Sequence, residues 1–93
     1  MNIINVPGKN KRHKVMIYTL STCVWCKMTK QFLKDLDVEY NYVDIDLCRE
    51  DEKNKIKNSI LEKGGELSYP VILIDDILIN GFVKKKIKEV LEV

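Results

Sequence analysis

The chain has no run of about 18 apolar residues, so no membrane-spanning helix is expected. It has no internal repeat and no low-complexity segment. Net charge is only +2, too little to argue for a nucleic-acid partner. His13 is the single histidine, and there are three cysteines. An odd count cannot pair fully within the chain, so these cysteines do not form a structural disulfide framework. The start, "MNIINVPGKNKRHK", places a short apolar piece before its charges, the reverse of a secretory signal, and a cytoplasmic location is therefore expected.

What is present describes one folded domain. A chain of 93 residues is too short to bury two cores. Apolar residues make up 45% and charged ones 32%, the balance of a globular rather than a disordered chain. Basic residues gather at Lys9, Lys11, Arg12 and Lys14, and again at Lys84, Lys85, Lys86 and Lys88. Such runs are ordinarily solvated faces; the alternative is electrostatic steering of an acidic protein partner.

Residue patterning gives the order of elements. "KVMIYTL" (14–20) is β-branched and aromatic, and reads as a strand. Val24, Met28, Phe32, Leu33 and Leu36 recur at helical spacing, predicting a helix over 23–35. "EYNYVDID" (39–46) alternates as a second strand. Residues 50–63 are highly charged, with Ile56, Ile60 and Leu61 on one helical face, and Gly64 and Gly65 stop that helix. "YPVILI" (69–74) is a buried strand, turned at Asp75-Asp76 into a short partner over 77–80. A last helix from Val83 directs Val83, Ile87, Val90 and Leu91 to the core. A strand–helix–strand start needs a right-handed crossover and parallel pairing, whereas the tight turn needs an antiparallel hairpin. The expected fold is α/β, a four-stranded mixed sheet flanked by three helices in the order β-α-β-α-β-β-α, over residues 14–93. Residues 1–13 form an extension in which "NIINV" is a candidate short strand, 7–13 a flexible basic loop, and His13 a solvated side chain.

The chemistry lies in "LSTCVWCKMTK" (20–30), where Cys23 and Cys26 follow a strand and open a helix. Disulfide exchange needs a thiolate, and the unpaired N–H groups and partial positive charge of a helix start stabilise an anion placed there. Cys23 lies where those groups converge, and Lys27 adds a charge near the same turn. Cys26 shares the helix face with Cys23, close enough to close a disulfide. The spacing thus gives an exposed nucleophile and a shielded resolving thiol. Cys23 attacks a substrate disulfide, and Cys26 then attacks Cys23 to release reduced substrate.

Rival readings find fewer partners. A zinc site wants four ligands, and Cys23, Cys26, Cys48 and His13 lack the usual spacing. Two inert buried thiols fit poorly at an exposed helix start. An iron–sulfur cluster shared by two chains needs thiolates from outside the chain. It remains the alternative function, a non-catalytic cluster-binding dimer. Cys48 has no partner at short spacing and reads as a bystander, the alternative being a regulatory or dimer-forming thiol. Trp25 is expected to face solvent beside the sulfur and serve partner docking. Phe82 is balanced between core plug and groove rim, Gly81 permits a close backbone approach or positive φ, and Tyr18 reads as packing.

"YTLSTCVWCKMTK", "SYPVILI" and "NGF" leading into the last helix make residues 14–93 resemble the glutaredoxin-like branch of the thioredoxin-fold superfamily. The resemblance implies that Pro70 is the superfamily's cis-proline beside the dithiol, with the backbone of Tyr69 pairing to substrate. Residues it implies at the substrate or partner surface are Thr22, Val24, Trp25, Lys27, Ser68, Tyr69, Pro70, Gly81 and Phe82. Thioredoxins carry a buried acid on the strand before the dithiol; "VMIYTL" has none, which favours the glutaredoxin side. Glutathione-using glutaredoxins have a lysine shortly before the dithiol, and a Gly-Gly followed by an aspartate entering the last helix. Here those places read Leu20 and "NGFVKKK". "YT..TC", the Cys-Val-X-Cys core and Gly-Phe are similar to NrdH-type redoxins, which are reduced by a flavoprotein reductase and serve ribonucleotide reductase. The implied function is a dithiol disulfide oxidoreductase with no resident cofactor beyond the Cys23–Cys26 pair. Its donor would be a thioredoxin-reductase-type or ferredoxin-dependent reductase, or glutathione. Its clients would be disulfide-containing proteins, ribonucleotide reductase among them. A monomer without nucleic-acid or membrane partners is expected.

Overall fold

The computed structural model describes residues 2–93. Its strands are β1 (Ile4–Val6), β2 (Val15–Thr19), β3 (Tyr40–Asp44), β4 (Val71–Ile74) and β5 (Ile77–Asn80). Its helices are α1 (Val24–Asp35), α2 (Glu50–Glu62) and α3 (Lys84–Leu91). The strands form one five-stranded sheet in the order β1-β3-β2-β4-β5. β2 and β3 are parallel, with α1 as their crossover, and the other pairs are antiparallel.

Alternation along the strands decides which helix covers which face. Val15 and Ile17 of β2, with Ile72 and Ile74 of β4, pack against Leu33 of α1 and Ile87 and Leu91 of α3. On the opposite face Val43, Ile45 and Val71 pack against Ile56 and Ile60 of α2. Both faces of the central strands are therefore covered, and the sheet lies between two helical layers. Among the described residues, no helix is long and apolar enough to cross a membrane.

Several expectations are corrected. The sheet has five strands rather than four, because residues 4–6 pair with β3 from Ile4↔Tyr42 to Val6↔Tyr40. β3 stops at Asp44, and Ile45–Leu47 form a 3₁₀ turn. The loop after β1 is tied down rather than free. Asn10 N–H donates to Asp37 O at 2.9 Å, and Glu39 N–H to Asn10 O at 2.9 Å. His13 is not solvated: its side chain is only 14% exposed, with Nδ1 2.7 Å from Asp75 Oδ2 and Nε2 3.9 Å from Glu92 Oε1. The ring fills the junction of this loop, the β4–β5 turn and the end of α3. Leu61 and Val83, expected in the core, are 53% and 48% exposed. Leu61 lies about 100° around α2 from buried Ile60. Val83 is the extended N-cap of α3 (φ −112°, ψ 91°), so helical periodicity does not govern its direction.

Candidate active site at the start of α1

β2 ends at Thr19, and residues 20–22 deliver Cys23 to the N-cap of α1. Cys23 N–H donates to Leu20 O at 3.1 Å, and Cys23 O accepts from Lys27 N–H at 3.1 Å. Cys23 Sγ accepts from Cys26 N–H at 3.2 Å, occupying the place a serine or aspartate oxygen usually takes in a helix cap. No acidic residue stands in the first turn to compete for those N–H groups. Both thiols are free; Cys23 is half-buried and Cys26 is buried. Burial pushes the Cys26 thiol up to about 12, and its hydrogen bond to Cys23 adds to the rise, while the Leu20 backbone and the Lys30 charge act in the opposite sense. One sulfur is thus accessible and accepts a helix-start N–H, and the other is enclosed, with burial favouring its protonated form.

The other wall is built by the loop before β4. The Tyr69–Pro70 peptide bond is cis. Gly81, at φ +83°, donates its N–H to Pro70 O at 2.7 Å. The Asn80 side chain fastens the approach to Pro70, accepting from Glu66 N–H at 2.9 Å and donating to Glu66 O at 2.6 Å and Ser68 O at 3.4 Å. Trp25, Ser68, Tyr69, Pro70, Gly81 and Phe82 line a shallow cavity of about 280 Å³. Phe82 is both core plug and rim: it packs on the sheet core and lies 6.4 Å from the Trp25 ring and edge-on, 5.6 Å, to Phe32.

The cavity therefore joins six of the residues read from the sequence. Val24 and Trp25 are 65% and 59% exposed beside it. Thr22 and Lys27 are exposed and do not line it. The charge of Lys30, one turn along α1, acts on Cys26. Tyr18 packs, half-buried, against the α2-side core. Cys48 is half-buried, with Sγ 3.6 Å from Asp44 O, and burial raises its pKa.

A polar scaffold behind the dithiol escaped the sequence reading. Thr19 Oγ1 donates its one proton to Asp44 Oδ1 at 2.6 Å and lies 3.2 Å from Val43 O. Asp44 also pairs with Lys30 Nζ at 3.4 Å, and that ammonium stands 3.9 Å from the centre of the Tyr42 ring. Asp46 accepts from Ser21 N–H at 2.9 Å and from the Ser21 hydroxyl, and these bonds hold its carboxyl below the usual aspartate range. The strand before the cysteines has no acid, yet its parallel neighbour supplies one through the register Thr19↔Asp44. The available signal was "VDID" closing a strand whose partner ends just before the dithiol.

A mixed sheet between helical layers, a dithiol opening the first helix and a cis-proline loop define a thioredoxin-fold redox protein. The chain belongs to the glutaredoxin family, whose model matches residues 15–79. It is 33% identical over 78 residues to a glutaredoxin-like 8.6 kDa protein in the rubredoxin operon of Clostridium pasteurianum, covering 84% of this chain and 97% of that one. It is 31% identical over 68 residues to the glutaredoxin-like protein NrdH of Lactococcus lactis, covering 73% and 86%. The crystal structure of a glutaredoxin from Methanosarcina mazei superposes with a TM-score of 0.89 at 37% identity, over 100% of this chain and 90% of that one. The resemblance is thus to the glutaredoxin and NrdH-like branch of the fold.

Proposed function

We propose that the protein is a dithiol disulfide oxidoreductase that reduces protein disulfides, with Cys23 as nucleophile and Cys26 as resolving thiol. The asymmetry of the pair carries this reading: Cys23 Sγ caps α1 at 3.2 Å from Cys26 N–H, while Cys26 is 0% exposed. The Cys23 thiolate attacks one sulfur of the client disulfide. The client S–S bond breaks, a mixed disulfide forms, and the other client sulfur departs and takes up a proton. Cys26 then gives up its proton and attacks Cys23 Sγ, which releases the second client thiol and leaves the Cys23–Cys26 disulfide. Two electrons pass to the client, and a donor restores the dithiol.

The client segment lies in the Trp25–Pro70–Phe82 cavity, adding as an extended strand along the Tyr69 main chain. The reaction takes place in the cytoplasm and needs no resident metal or organic cofactor; ribonucleotide reductase is the client to try first. Where an acid would meet the amine of glutathione, the chain has Lys84, Lys85 and Lys86, which supports a reductase as donor.

The test couples the oxidised protein to insulin and to ribonucleotide reductase, with three donors in turn. These are NADPH with a thioredoxin reductase, reduced ferredoxin with its reductase, and glutathione with its own. Turnover with a reductase and little with glutathione is expected. Turnover with glutathione alone would reverse the donor assignment. If chemically reduced protein left insulin disulfides intact, the oxidoreductase reading would fall.

A further inference from the structure

α3 begins against the rule that α2 obeys. The first turn of α2 carries Glu50, Asp51 and Glu52, which suit the positive end of a helix. The first turn of α3 has no acid, its opening residues are Lys84, Lys85 and Lys86, and its N-cap Val83 contributes no side-chain hydrogen bond. Three cations thus stand where the helix dipole opposes them. All three are exposed, and none has an ion-pair partner among the described residues. Of the other lysines, three have one among the described residues, Lys11 with Glu39, Lys30 with Asp44 and Lys53 with Glu50, so what sets this cluster apart is its place at a helix start.

The cluster adjoins an apolar surface that runs on from the dithiol. Val24, Trp25, Met28 and Val83 are exposed along it. On the α1 side of Phe82 a second shallow cavity, about 220 Å³, is lined by Met28, Gln31, Phe32, Asp35, Phe82 and Lys84. Its one acid, Asp35, accepts from Gln31 Nε2 at 2.8 Å. Lys84 Nζ stands 5.6 Å from the Phe82 ring centre and 5.8 Å from that of Phe32, so charge and apolar floor form one surface.

We propose that this surface holds an acidic segment of the client next to its disulfide. An apolar side chain enters the cavity beside Phe82, and carboxylates meet Lys84, Lys85 and Lys86. The inference rests on the oxidoreductase reading and adds to it the class of protein that is taken. With a net charge of +2 the attraction is local to this end of the molecule. It reaches about 8 Å at physiological salt, so the carboxylates must lie within a few residues of the client's cystine.

The test uses chemically reduced protein in single turnovers. The substrates are a cystine peptide followed by Leu-Glu-Glu, its Leu-Lys-Lys counterpart, a Gly-Glu-Glu version, glutathione disulfide and neutral bis(2-hydroxyethyl) disulfide. The acidic peptide is expected to react about tenfold or more faster than the basic one at low salt, with the ratio falling towards one as salt rises. Replacing its leucine by glycine slows it. The triple variant Lys84→Gln, Lys85→Gln, Lys86→Gln lowers the acidic-to-basic ratio, a quantity blind to damage shared by both reactions. Equal rates for the two peptides, or a ratio that survives in the triple variant, would overturn the proposal. Glutathione disulfide reacting as fast as the acidic peptide would overturn the assignment to a protein segment. Failure on every disulfide, the neutral one included, would instead bring down the oxidoreductase reading itself.

Discussion

Cys23 and Cys26 sit less than one helical turn apart in opposite surroundings, and that difference is testable by pH. Folding raises the Cys26 thiol to about 12 by burying it, so folding favours its neutral form. That contribution is fully present below the ordinary thiol value, about 8.5, and is lost as pH rises through the folded value. The reduced protein is expected to lose urea resistance as pH rises from about 8.5 towards about 12, and Cys26→Ala to lose less across the same window. An equal loss in both would assign the effect elsewhere. Asn80 is a second residue-scale case. Asn80→Ala removes the bonds to Glu66 and Ser68 and should cost about 1 kcal/mol, with slower disulfide exchange through a looser Pro70 wall. Asn80→Asp keeps the acceptor for Glu66 N–H and should recover part of both, read by thermal midpoint and exchange rate. The cysteines, Pro70, Gly81 and Phe82 were legible because each sits in a contiguous motif. Asp44, Asp46 and Asn80 were not, because their partners lie 12 to 25 residues away and only folding brings them together.

The elements were legible as elements, less so in their rotation. α2 has few apolar residues, and "SILE" does not say whether Ile60 or Leu61 leads into the core. Ile60 is 1% exposed and Leu61 53%, so Ile60→Ala should cost about 2–5 kcal/mol and Leu61→Ala within about 0.5 kcal/mol in urea unfolding. Strand β1 was visible only as "NIINV", since three residues give too little alternation to commit a pairing. What fastens it is Gly8, where an added Cβ would meet backbone atoms of Asp37, Val38 and Glu39 at 2.7 Å. Backbone cannot swing aside as a side chain can. Gly8→Ala is expected to cost about 1–3 kcal/mol and to speed amide exchange in β1, leaving β4 and β5 protected.

At the scale of the molecule, polar joints tie distant segments to the sheet. Asp75 accepts from Lys14 N–H at 3.0 Å and bonds His13 at 2.7 Å, and these contacts, the histidine first, hold its carboxyl below the usual range. Asp46 is lowered likewise through Ser21. A depressed carboxyl stabilises the fold above its unfolded value, about 3.9, and that stability is lost as pH falls through the folded value. Asp75→Asn should therefore flatten the fall in denaturant midpoint below about pH 4. The joints bear on the fold, whereas the reaction rests on which sulfur meets the client. The most direct measurement is intact and peptide mass analysis of Cys26→Ser after exposure to a protein disulfide. The expected product is one mixed disulfide, carried by Cys23 and missing when Cys23→Ser is added. A stable adduct on Cys48, or undiminished disulfide reduction by Cys23→Ser, would contradict the account.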